Sequence, residues 1–131
     1  MLVANTISDA AIMAALGRQM TRAVARETVA SSNLANLDTP GYHTREVTFD
    51  QALTDQLATA TSTAAGIAPP AGAPAGTVSE VDGLAERRDG NNVQLDRELL
   101  SLTKASGDFS AAQTVLSAKF RLVRYAINDG R

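Results

Sequence analysis

Between Leu95 and Ile127 the side chains of Leu95, Leu99, Leu102, Ser106, Phe109, Gln113, Leu116, Phe120, Val123 and Ile127 alternate steps of four and three without a break. This spacing keeps a narrow stripe on one side of a helix and describes a coiled-coil seam. The half of the repeat formed by Leu95, Leu102, Phe109, Leu116 and Val123 is wholly apolar, whereas the other half holds Ser106 and Gln113, which set register at a cost in stability. Asn92 is expected to cap this helix, and Asn128 with Gly130 to stop it. Gly107 costs about 1 kcal/mol relative to alanine in a helix interior and is the point where the helix is expected to be least straight.

A second helix is expected from about Asp9 to Asn36. Ser8 or Asp9 can cap it, and Ile12, Leu16, Met20, Ala23, Ala30, Leu34 and Leu37 recur at spacings of three, four and seven. The stripe is thin, since alanine fills two of its positions and Glu27 interrupts it, so the helix would approach a partner closely but gain little from burial alone. Pro40 disfavours helical geometry at Thr39, and Pro-Gly suits the centre of a turn, so the helix is expected to end there. Tyr42, Thr44, Val47 and Phe49 then read as short extended structure, followed by a helical or turn-like stretch from Asp50 to Leu57.

Between the two ends the composition changes. From Thr59 to Gly76 the chain is Ala, Thr, Gly and Pro, with Pro69, Pro70 and Pro74 close together. Such a segment cannot repay its ordering entropy by burial. Val78, Val81 and Leu84 suggest a short ordered return before the turn signal Asp89-Gly90-Asn91-Asn92. The expected fold is therefore mainly α: long amino- and carboxyl-terminal helices packing as a coiled coil, a short irregular or β middle segment, and a flexible linker. The expected divisions are an amino-terminal helix over 1–37, a turn and extended segment over 38–58, an Ala/Pro/Gly-rich linker over 59–90, and a coiled-coil helix over 91–131. Neither stripe is wide enough for a self-sufficient core, so each helix is expected to complete its burial against the other and against neighbouring chains.

Composition narrows the classes of function. The apolar fraction of 44% owes much to alanine, and three Phe, two Tyr and no Trp leave few large side chains to bury. With 12 basic and 14 acidic residues and a net charge of -2, nothing resembles the basic footprint of a nucleic-acid or anionic-membrane binder. The chain has no cysteine, which excludes disulfides and thiolate metal sites. No run approaches the ~18 apolar residues of a membrane span, and the amino terminus lacks the basic and apolar regions of a cleaved secretory signal. His43 is the only histidine, and with no carboxylate or second imidazole at ligand spacing it reads as a surface or turn residue rather than a metal ligand. Asp96 and Glu98 diverge on a helix and read as solvated first-turn charges opposing the helix dipole, not as paired catalytic carboxylates. No phosphate loop, nucleophile elbow or helix-spaced metal pair occurs, so neither a catalytic residue nor a cofactor is expected.

Residues 31–42, Ser-Ser-Asn-Leu-Ala-Asn-Leu-Asp-Thr-Pro-Gly-Tyr, closely resemble the amino-terminal signature of the flagellar rod and hook family, with Asn33, Ala35, Asn36, Thr39, Pro40, Gly41 and Tyr42 carrying the likeness. His43 stands where that family often has lysine. The stretch Asn91-Asn92-Val93-Gln94-Leu95-Asp96-Arg97-Glu98, with Lys119-Phe120 and Tyr125-Ala126-Ile127, is similar to the family's proximal-rod branch. The resemblance covers roughly residues 5–57 and 90–128. On the amides Asn33 and Asn36 the plain reading, that they satisfy the helix end and the turn backbone, agrees with the family reading, because a fixed turn lets a segment dock reproducibly.

This resemblance implies a structural subunit of the flagellar proximal rod that contributes to the drive shaft of motility. It implies export by the flagellar type III apparatus without a cleaved signal, residence in the basal body across the periplasmic space, and polymerisation through the terminal helices. The implied partners are other copies, the rod proteins FlgC and FlgF, the rod-base protein FliE, the nearby ring protein FliF, and the export gate during secretion. Phe49 and Leu53 match the Phe-x-x-x-aliphatic pattern that such substrates present to the gate, and the same spacing equally describes ordinary packing. The alternative is a stand-alone cytoplasmic coiled-coil module, an export chaperone or regulator, against which the turn signature argues.

Overall fold

The structure is a computed structural model, and residues 9–49 and 76–128 are described. Leu53, residues 59–75 of the linker, the Ser8 cap and the Gly130 stop lie outside the described residues. Within them the order is α1 (Asp9–Ala35), β1 (Arg45–Thr48), β2 (Thr77–Glu80) and α2 (Leu95–Asn128). The mainly helical fold expected from the sequence is borne out: two long helices pack along one another with a two-stranded sheet between them in the chain.

The helices run antiparallel. Asp9 at the start of α1 meets Lys119 at 2.6 Å, Arg26 reaches Asp108 at 3.8 Å, and Asn33 in the last turn contacts Glu98 in the first turn of α2 at 2.9 Å. Ala23 and Ala30 of α1 and Ala105 and Ala112 of α2 are buried, with Ile12, Leu16, Met20 and Leu34 half-buried on the α1 side. Alanine has the strongest helix propensity and no side chain to hold the backbones apart, so it favours both long helices and their close approach.

The seam inside one chain lies slightly around α2 from the stripe of large apolar side chains. It follows Glu98, Leu102, Ala105, Phe109, Ala112, Leu116 and Lys119, again in steps of four and three, all buried or half-buried. Leu102, Phe109 and Leu116 belong to both stripes. Ser106 and Gln113 face solvent, and Leu95, Leu99, Phe120, Val123 and Ile127 remain 42–69% exposed. The physical reason is the alanine of α1: a thin partner is best met by alanine at the closest line, with the larger side chains flanking it. Gly107 is exposed, and α2 passes through it uninterrupted.

β1 and β2 pair antiparallel, with Arg45 opposite Glu80 and Val47 opposite Val78, and the bond from the Val81 amide to the Thr44 carbonyl at 2.9 Å extends the pairing. Val47 is the buried residue of β1 and fixes its register against the helices. Thr77–Glu80 thus forms a strand inside the span read as linker, at the ordered return expected around Val78 and Val81.

The alanine line predicts an asymmetry around α2. Ala105→Leu should lower the unfolding free energy by about 1–3 kcal/mol through overpacking, whereas Gln113→Leu, on the exposed side, should stay within about 0.5 kcal/mol of the parent. Urea unfolding followed by circular dichroism distinguishes the two.

Candidate assembly site: the asparagine junction

The end of α1 tightens before it stops. The Asn36 amide is shared between the Ser32 and Asn33 carbonyls at 3.2 and 3.1 Å, and the Leu37 amide bonds back to Leu34 at 3.2 Å. Thr39-Pro40-Gly41-Tyr42 then forms a β-turn closed by the Tyr42 amide on the Thr39 carbonyl at 3.2 Å. Proline at the second position and a positive φ of 70° at Gly41 are the requirements of a type II turn. A second turn, Arg87 to Gly90, is closed at 2.9 Å with Gly90 at φ 78°. The two left-handed glycines lie against each other, and the Gly41 amide donates to the Asp89 carbonyl at 2.8 Å, so one turn is docked on the other.

Three buried asparagines hold this junction. Asn33 is 1% exposed, and its amide nitrogen donates to the Arg45 carbonyl at 2.7 Å and to Glu98 Oε2 at 2.9 Å, while its oxygen accepts from the Arg45 amide at 3.0 Å and from the Tyr42 hydroxyl at 3.1 Å. Both donors and both lone pairs of the side chain are thereby used. It pairs with the two backbone groups of Arg45 as a neighbouring strand would, which links the end of α1 to β1 and to α2 in one residue.

Asn91 is fully buried, and its nitrogen donates to the Asn36 and Thr39 carbonyls at 2.9 and 2.8 Å, while its oxygen accepts from the Val93 amide at 2.8 Å and from Arg87 Nη2 at 3.2 Å. Asn92 accepts from the Thr44 amide at 2.6 Å through its side chain, and its carbonyl accepts from the Thr44 hydroxyl at 3.2 Å. Arg87 completes the set by donating to the Leu37 carbonyl at 2.6 Å. The carbonyls released where α1 ends are thus satisfied largely by side chains that precede α2 in the chain.

Several of these roles differ from the sequence reading. Glu98 is buried at 3% exposure and bonded to Asn33, whereas Asp96 is exposed as expected. A carboxylate on the seam side of the first helical turn meets an amide whose remaining donor has nowhere else to go. Asn92 turns to Thr44 rather than capping α2, whose first helical bond runs from the Glu98 amide to the Gln94 carbonyl at 3.1 Å. Among the signature residues, Asn36 stays local and donates to the Ser32 carbonyl at 2.8 Å, while Ala35, Thr39, Pro40 and Gly41 are exposed.

His43 has carboxylates on both sides after all, with Glu80 at 3.4 Å from Nδ1 and Glu86 at 3.6 Å from Nε2, both brought in by the β2 return. Phe49 is half-buried beneath the guanidinium groups of Arg22 and Arg26, at 5.2 and 5.4 Å from its ring centroid. Among the described residues no His, Cys, Asp and Glu cluster is placed to hold a metal ion, and no helix is long and apolar enough to cross a membrane.

The family described as "Flagella basal body rod protein" matches residues 12–43, most of α1 and the turn that follows it. The chain is also similar to a flagellar basal body rod protein, FlgB of Yersinia enterocolitica, with 29% identity over 116 residues covering 80% of this chain and 85% of that one. These likenesses bear out the resemblance carried by residues 31–42, that of a FlgB-like rod protein, and support a structural role in the flagellar basal body.

Removing the Asn33 side chain would strand the Arg45 backbone groups and the buried Glu98 carboxylate. Asn33→Ala should therefore destabilise the chain by about 3 kcal/mol, and Asn36→Ala, which loses two exposed bonds, to the Ser32 carbonyl and from the Thr39 hydroxyl, by no more than about 1 kcal/mol. Denaturant midpoints at matched slope are the measurement.

Proposed function

We propose that this chain is a structural subunit of the flagellar proximal rod, exported by the type III apparatus and polymerised through its terminal helices as part of the drive shaft. One observation carries the reading. α2 continues nine residues past Lys119, to Asn128, and there Phe120, Leu122, Val123, Tyr125 and Ile127 are all exposed. Phe120, Val123 and Ile127 continue the side of α2 that carries exposed Leu95 and Leu99, whereas Leu100, Leu122 and Tyr125 lie on the other side, and apolar surface spread around a helix in this way belongs against other chains rather than water. The asparagine junction supports the same reading, because it fixes the angle at which the two helices leave the turn and so presents their outer faces reproducibly.

In this proposal the four segments of the chain divide the work. The helices of 1–37 and 91–131 assemble, the 38–58 segment sets their geometry, and the 59–90 segment connects. Neighbours would include other copies, FlgC, FlgF and FliE, with FliF nearby, in the periplasmic part of the basal body. Phe49 and Leu53 would engage the export gate before folding, since folding lays Arg22 and Arg26 over the Phe49 ring.

Assembly through the exposed face separates from folding. Val123→Asp with Ile127→Asp should leave the stability of the isolated chain within about 0.5 kcal/mol while abolishing swimming and incorporation into isolated basal bodies. Wild-type swimming and incorporation by a stable double variant would sink the proposal.

A further inference from the structure

A cleft of about 220 Å³ opens where α1, β1 and α2 meet, with Arg26, Arg45, Arg97 and Lys104 around it and Glu46 and Glu98 as its carboxylates. Both carboxylates are engaged: Glu98 is buried on Asn33, and Glu46 holds Arg97 at 3.0 Å. Arg26 turns to Asp108 at 3.8 Å. Among the described residues, Arg45 and Lys104 have no carboxylate within ion-pair distance. The cleft therefore carries surplus positive charge on a chain whose net charge is -2. At this volume it falls below the roughly 300–1,000 Å³ of small-molecule sites and suits protruding side chains.

The complementary surface lies on the same chain, beyond the other edge of β1. Glu80 ends β2, opposite Arg45, and Asp82 and Glu86 follow on the return from the strand, all exposed. Glu80 and Glu86 share the single imidazole of His43, Asp82 has no ion-pair partner among the described residues, and exposed Arg87 is engaged by the Leu37 carbonyl and by Asp38 at 3.9 Å, which leaves three carboxylates against Arg88 on this edge.

We propose that the basic cleft of one copy receives the acidic Glu80–Glu86 edge of a second copy, in a head-to-tail contact additional to the helix faces. The inference rests on the reading of the chain as a polymerising subunit. The two surfaces are different patches, so the contact is heterologous; each copy keeps a free cleft or a free edge, and the contact propagates instead of closing into a dimer. Opposite charge at the rim steers and registers the encounter, and salt screens it.

The absence of cysteine from the chain makes a cross-linking test direct. Ser101→Cys places a thiol at the cleft and Ala85→Cys places one between the acidic side chains; both positions are exposed. Mixed at low salt and oxidised, the two variants should form a disulfide-linked pair that neither forms alone. The pair should be lost when Lys104→Glu is added to the Ser101→Cys chain, and at about 0.5 M salt, where the Debye length is only about 4 Å. Circular dichroism of each variant checks that it remains folded. Sedimentation of the unmodified chain at the same concentration shows whether copies associate through another face. Association without the cross-link, or a cross-link indifferent to Lys104→Glu and salt, overturns the cleft contact and leaves the rod reading standing. Absence of both association and cross-link likewise overturns the cleft contact, whereas the rod reading stands or falls on the swimming and basal-body incorporation of Val123→Asp with Ile127→Asp.

Discussion

The structure depends on one buried amide. Asn33 stands in the last turn of α1, yet none of its four side-chain hydrogen bonds is spent on its own helix; they go to Arg45, Tyr42 and Glu98. A buried polar group with all its partners in place is directional in a way that packed alanines are not, and an unmatched one is expensive. The alanine seam permits α1 and α2 to approach, but alanine on alanine tolerates sliding. Asn33 on Glu98 sets the register at one end, and Asp9 on Lys119 meets it at the other. Asn91 and Asn92 extend the same logic by holding the loop between α1 and β1 from the stretch that precedes α2, so that the end of α1 and the start of α2 become one rigid corner.

This division of labour explains how a chain with so few large apolar residues can be ordered and still have apolar surface to offer. Small residues and polar contacts build the corner and the helix pair. The large side chains of α2 are then not all consumed inside the chain, and Leu95, Leu99, Phe120, Val123 and Ile127 stay outside. For the proposed rod subunit this is the useful arrangement, because burial energy released between chains would drive assembly.

The fold was largely legible in the sequence, since period and punctuation are local properties. The four-three spacing from Leu95 onward specified a long helix, and Pro40 with Gly41 specified where α1 had to stop. The rotation of the seam was not legible, because it is set by the partner: the spacing of α2 alone favours its leucines, and only the buried Ala23 and Ala30 of α1 draw Ala105 and Ala112 to the closest line. The junction was half legible. Asn33 and the Thr-Pro-Gly-Tyr turn stood out, and Asn91 and Asn92 were visible as a turn signal. That the two stretches bond to each other across more than fifty residues, and that Glu98 is buried rather than solvated, are facts of tertiary contact. A local signal existed in the pair Asn91-Asn92, since two adjacent amides before a helix exceed what capping requires.

The central claim, that the asparagine amides and not the helix seam fix the corner, is tested most directly by hydrogen exchange followed residue by residue. The amides of Thr44, Arg45 and Val93 lie outside the helices, and their bonds run to the side-chain oxygens of Asn92, Asn33 and Asn91. They should exchange as slowly as the backbone amides of Ala23 and Ala105 at the centre of the helix pair, because all are released by the same global opening. Exchange of Thr44, Arg45 and Val93 at the rate of an open loop, while Ala23 and Ala105 stay protected, would show that the helix pair stands without the junction and would contradict the account.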